Sequence, residues 1–134
     1  MNSHDFSSRS DREGTKTINA AVMAQLRDAT GGGFERVVEL FLKNLPARVQ
    51  EVTRAWGAGD RVAFRQATHK LKGTGVAFGA DRLSRLCEVL ESRLDRDDGE
   101  GTEVPVPEVL ECLVAEGEAV RRTLLNLLRE GTSG

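Results

Sequence analysis

The chain has 134 residues, a formal net charge of −2, 39% hydrophobic and 30% charged residues. That length makes one domain, the near-balanced charge offers no field for nucleic acid or an anionic membrane, and no apolar run approaches the roughly 20 residues that span a bilayer. With five Phe, one Trp and no Tyr, the core must be built from Leu, Val and Ala, which suits helix-on-helix packing.

Residues 1–16, MNSHDFSSRSDREGTK, are polar and lack the apolar stretch of a secretory signal, so they read as a flexible leader. Without an export signal, Cys87 and Cys112 are expected as reduced thiols of a cytoplasmic protein. Together with the two histidines they show no zinc-site spacing, and no metal is expected.

The segment TINAAVMAQLRDAT, residues 17–30, predicts a short helix with Ile18, Val22, Leu26 and Ala29 on one face, stopped by three glycines at 31–33. From Phe34 to Trp56, a stripe of Phe34, Val37, Val38, Phe41, Leu45, Val49, Val52 and Trp56 repeats at the helical period, with Pro46 expected to kink it. After GAGD, with Asp60 as N-cap, a helix over 60–77 follows. The next, over 81–95, carries Leu83, Leu86, Cys87, Leu90 and Leu94 on one side. RDDGEGTEVPVP is a polar loop whose Pro107 can open a last helix, running to about Glu130 on Leu110, Leu113, Val114, Val120, Leu124 and Leu128. Residues 131–134 read as a flexible tail. Nothing alternates with period two. The expectation is an all-α chain whose residues 17–130 fold as an antiparallel up-and-down four-helix bundle with a short additional N-terminal helix as a lid.

The third of these segments carries the chemistry. On a helical wheel Phe64, Ala67 and Leu71 share one side, and His69 falls nearly opposite, among Val62, Arg65, Gln66, Lys72, Gly73 and Val76. A lone helical histidine is commonly a satisfied core residue or an idle surface group, and the wheel excludes the first. Gly73 argues against the second. An interior helical Gly costs on the order of 1 kcal/mol relative to Ala, and this one lies on the solvent side beside the imidazole, where no packing demands it. Gly75, near the packing face, is explained by close approach of a neighbouring helix. Lys72, at i+3, supplies an ammonium able to meet an anion, while Lys70 and Arg65 add looser positive charge. An exposed imidazole, a cation one turn away and a cleared volume describe a nucleophile for a phosphoryl group.

Residues 67–91, ATHKLKGTGVAFGADRLSRLCEVLE, resemble the signature of histidine-containing phosphotransfer (HPt) domains of bacterial multistep phosphorelays. The matching features are Ala-x-His-x-Leu-Lys-Gly, small residues after it, Gly79-Ala80, then Leu-x-x-Leu-Cys-x-x-Leu-Glu. The upstream FLKNLPARVQEVTRAWGAGD is similar to the long helix and Gly-Asp turn that precede it, so the resemblance spans about residues 17–128. It implies that His69 is the phosphoacceptor, attacking an aspartyl-phosphate through Nε2 and later passing the group to another receiver's aspartate. Lys72 would neutralise phosphate charge, Gly73 would give access, and Glu91 would hold the other ring nitrogen. The implied partner is the receiver domain of a response regulator or hybrid histidine kinase, docking on Val62, Arg65, Gln66, Lys70 and Val76. The chain would act as a monomer, without cofactor, nucleic acid or membrane insertion, and the Mg²⁺ would belong to the receiver. No autonomous catalysis is expected. Thr68 departs from the family, which most often has Ala there.

Two rivals fit less well. In the dimerisation helices of a sensor histidine kinase an acid usually follows the acceptor His and a Pro comes some five residues on. Here Lys70 follows, no Pro appears until Pro105, and no Gly-rich ATP motif exists. A hydrolase using His69 as general base needs a nucleophile or paired carboxylate in a cleft, which the outer face lacks. A non-catalytic helical interaction module is the remaining alternative.

Overall fold

The computed structural model describes residues 16–95 and 104–133. Most of the expected leader, part of the polar loop and the last residue of the expected tail lie outside that range. The described chain holds five α-helices and no strand: α1 (Ala20–Thr30), α2 (Phe34–Gly57), α3 (Arg61–Ala77), α4 (Asp81–Asp95) and α5 (Val106–Ser133).

Local chemistry sets most of these boundaries. Asn19 caps α1, its Oδ1 accepting from the backbone N–H of Ala21 at 2.9 Å and of Val22 at 3.3 Å. The three glycines wind a 3₁₀ turn, Gly31–Gly33, that leads directly into α2. Helix α2 runs unbroken through Pro46, which lies exposed on the bundle's outer side. Asp60 opens α3, its Oδ1 accepting from Ala63 N at 3.0 Å. Gly79 turns the chain into α4 at φ +70°, where a side chain would be strained. Helix α5 continues to Ser133, into the stretch expected as a tail.

Helix α2 packs on α3, α3 on α4, α4 on α5 and α5 back on α2, while α1 lies against α2. The short α2–α3 and α3–α4 connections make those neighbours antiparallel. The enclosed core contains Val38, Phe41, Leu45, Val52, Phe64, Leu71, Leu83, Leu90, Leu113, Val120 and Leu124, all buried. Phe41 and Phe78 stack with centroids 4.1 Å apart. No described helix is long and apolar enough to cross a membrane.

The expected stripes need adjustment at their edges. In α1 Met23 is the buried residue, whereas Val22 is half-buried and Ala29 exposed. That helix meets the body through α2 and the glycine turn rather than across a broad face, so only a narrow strip is covered. In α5 the buried Gly117 takes the contact with α2, and a Cβ there would sit 3.2 Å from Val49 Cγ2. Val114, one turn earlier, is left 50% exposed. Trp56, at the end of α2, remains 40% exposed with its ring tilted against Phe64.

Candidate functional site

Helix α3 buries Phe64, Thr68, Leu71 and Gly75, one stripe at helical spacing, so the opposite face is turned to water. His69 sits there with 73% of its side chain exposed. Val62 and Val76 are 68% and 59% exposed on the same helix, and Arg65, Gln66 and Lys70 are exposed with them. The residues expected to form a docking surface thus share the outer side of α3 with the imidazole.

Gly75 brings the neighbouring helix in. A Cβ on it would lie 2.7 Å from Ser84 Oγ, so α3 and α4 pack with almost nothing between them. That close approach carries Glu91, two turns further along α4, to the imidazole. Its Oε2 is 2.9 Å from His69 Nδ1, and its Oε1 accepts from Lys72 Nζ at 2.9 Å. One carboxylate therefore holds both expected site residues. The resemblance implies a contact of Glu91 with the ring; the engagement of Lys72 by the same carboxylate is an addition to it. No pattern within α3 reveals it, because it depends on how closely α4 lies.

Partial burial pushes the Glu91 carboxyl upward, but hydrogen bonds from Lys72 and His69 and their charges outweigh it and hold the group below the ordinary carboxylate value. The Lys72 ammonium is pushed up, chiefly by its hydrogen bond to Glu91 and then by that charge. At neutral pH the pair is carboxylate and ammonium. A carboxylate only accepts, so Nδ1 carries the ring proton and donates it, and the lone pair lies on Nε2. Nε2 has no hydrogen-bond partner among the described residues.

Beside the ring, a Cβ on Gly73 would meet nothing within 4 Å, so the helix offers an open shoulder. Cys87, one turn before Glu91, is a buried thiol pushed up to about 12 by burial first and by the Glu91 charge second. It belongs to the core, not the chemistry. Cys112 is free and exposed. Thr68, adjacent to His69, is fully buried and its hydroxyl has no hydrogen-bond partner. A groove between α2 and α5, lined by Leu45, Pro46, Val49, Val114 and Gly117 among others, lies on helices that do not carry the imidazole. The site is a convex helical surface.

Among the described residues, the helical bundle presents one solvent-exposed imidazole, its Nδ1 held by a carboxylate and its Nε2 without a protein partner, on a helix face rather than in a cleft. The chain belongs to the Hpt domain family, whose model matches residues 36–130. Membership gives it a phosphotransfer role in phosphorelays. Among solved structures, it is similar to histidine-containing phosphotransfer protein B from Pseudomonas aeruginosa PAO1, with a TM-score of 0.73, 24% identity, and 85% of this chain and 95% of that one covered. This likeness is one of fold. It is also similar to the HPT domain of a sensor hybrid histidine kinase from Shewanella, with a TM-score of 0.65, 26% identity and the same coverage of 85% and 95%. No curated protein sequence matches the chain.

Proposed function

We propose that this protein is a phosphorelay intermediate in which His69 accepts a phosphoryl group from the aspartyl-phosphate of one receiver domain and delivers it to the aspartate of another. The observation that carries this reading is the 2.9 Å contact between His69 Nδ1 and Glu91 Oε2 on an otherwise exposed ring. In the neutral ring this contact puts the proton on Nδ1 and leaves the lone pair on Nε2. The Nε2 lone pair forms the N–P bond as the aspartyl P–O bond breaks, and the aspartate departs as a carboxylate. The ring gains positive charge in that step, and the Glu91 carboxylate faces it through the Nδ1 proton. In the onward step the second aspartate attacks phosphorus, and the imidazole leaves neutral with its proton still on Nδ1.

Lys72 uses one donor on Glu91. An ammonium has three, so the others are available to oxygens of a phosphoryl group on Nε2, and Gly73 leaves room for that group and the surface delivering it. Val62 and Val76 flank the imidazole as apolar contacts for the receiver, with Arg65, Gln66 and Lys70 around them. The Mg²⁺ and the in-line geometry are supplied by the receiver.

Incubation with a ³²P-labelled receiver tests this reading. Label is expected to move to the wild-type chain and not to a His69→Gln variant, and the product should be acid-labile and base-stable. If the folded chain takes no label from a panel of phosphorylated receivers, the carrier reading fails and the bundle is an interaction module.

A further inference from the structure

Residues 16–19 and the start of α1 precede the segment matched by the family model, yet they are bonded to the turn between the two site helices. Asn19 N donates to Gly79 O at 2.7 Å, and Arg82 N donates to Lys16 O at 3.0 Å. Asn19 Nδ2 donates to Asp81 Oδ2 at 3.0 Å, while the same side chain caps α1 through Oδ1. Arg82 NH1, in the same first turn of α4, lies 3.7 Å from Oε1 of Glu116 on α5. Gly79 fits beneath this strap only because it lacks a side chain, since a Cβ would lie 2.8 Å from Val22 Cβ and 3.1 Å from Asn19 O.

These bonds fall at a mechanically sensitive place. The first N–H groups of a helix have no partner within it and need an outside acceptor. Here the carbonyl of Lys16 serves Arg82, in the first turn of α4, and Asn19 grips the side chain of Asp81, the first residue of that helix. The N-terminal segment therefore caps the helix that carries Glu91. From that cap the path to the site is short and rigid: Ser84 touches Gly75, and two turns on, Glu91 bridges Lys72 and His69.

We propose that residues 16–19 act as a strap whose attachment to the first turn of α4 sets the position of Glu91, so that release of the strap loosens the grip on the His69 imidazole and slows phosphoryl transfer. Asn19 is a positioning residue in this device, acting through α4. The strap has two states, docked and released, and anything that pulls on the chain ahead of Lys16 biases it toward release. The consequence for transfer rests on His69 being the phosphoacceptor; the consequence for the ring does not.

Native-state hydrogen exchange and ¹⁵N NMR of the His69 ring test the device on the whole chain. In the wild type, the amides of Asn19 and Arg82 are expected to exchange at least tenfold faster than a core amide such as that of Val120, reporting release without unfolding. An Asn19→Ala variant is expected to speed both by a further tenfold, to shift the ring nitrogens from the Nδ1-protonated pattern toward a free imidazole, and to slow transfer three- to tenfold. Asn19→Asp, which keeps the capping oxygen of α1 but replaces the donor to Asp81 with a carboxylate, is expected to act in the same direction if Asn19→Ala fails to fold. Exchange of Asn19 and Arg82 at the core rate would show that no released state exists. Faster exchange with an unchanged ring spectrum would make the strap merely structural, as would a shifted ring with unchanged transfer in a chain whose wild type is active. A wild type that takes no label defeats the phosphoacceptor reading instead, and the ring spectrum then judges the strap by itself.

Discussion

Lys72 meets Glu91 rather than open water: its Nζ lies 2.9 Å from Oε1 of the carboxylate whose other oxygen meets His69. The cation and the imidazole are thus coupled through one acid. The ammonium neutralises a carboxylate that is 19% exposed, and the carboxylate in turn fixes the tautomer of the ring. On the proposed function, a phosphoryl group arriving on Nε2 would meet a cation already held in place.

Removing the acid should disturb both partners. Glu91→Ala is expected to slow transfer from a phosphorylated receiver by roughly ten- to a hundredfold, the scale seen when a reacting or ligating imidazole loses its orienting partner. ¹⁵N NMR should show the ring averaging between tautomers. Unchanged rates would mean that the ring needs no holder.

Two acids should shape the pH profile of stability in opposite senses. Glu91 is held below the ordinary value of 4.5, so its contribution is present above that value and lost as pH falls through the folded-state value. Glu116 is raised, by burial first, with Arg82 and Thr17 offsetting only part of it, so its contribution is present below 4.5 and lost as pH rises through the folded-state value. Urea midpoints from about pH 2 to pH 8 should therefore find Glu91→Gln less stable than wild type at neutrality, with the deficit shrinking as pH falls below 4.5. Glu116→Gln should be near wild type in acid and more stable at neutrality.

Thr68 buries a hydroxyl without a partner, which costs on the order of 1 kcal/mol or more. Thr68→Val keeps the shape and removes the polar atom. It is expected to raise stability by about 1 kcal/mol in urea unfolding and to leave transfer unchanged.

The two glycines after His69 should respond with opposite signs. Gly73→Ala adds a methyl where nothing lies within 4 Å and is expected to stabilise the free bundle by up to about 1 kcal/mol through helix propensity. Gly75→Ala must displace Ser84 Oγ, 2.7 Å from the new Cβ, and is expected to destabilise by about 1 kcal/mol or more. Thermal melts of the two variants check this, and Gly73→Val should additionally slow transfer by obstructing the approach to the ring.

Val62, 68% exposed, makes little contribution to the core. Val62→Asp is expected to slow transfer from the receiver with no loss of helical signal in circular dichroism. A melted bundle would show that the residue is structural.

Periodicity alone determined much of this protein. The α2 stripe, the start of α3 at Asp60, the span of α4 and the outward direction of His69 follow from which residues recur every 3.6 positions and which can cap, and those are properties of one helix at a time. Gly75 was legible as a close approach for the same reason. Only the tertiary structure decided what stands next to what across helices. Val114 lies at a rim because Gly117 takes the contact, and α1 buries Met23 because it meets little besides α2. Above all, Lys72 and His69 share Glu91 because α3 and α4 touch at Gly75 and Ser84. A hydrogen bond is decided within a few tenths of an ångström, by the distance and rotation between two helices, and the spacing of residues along either helix carries no record of it.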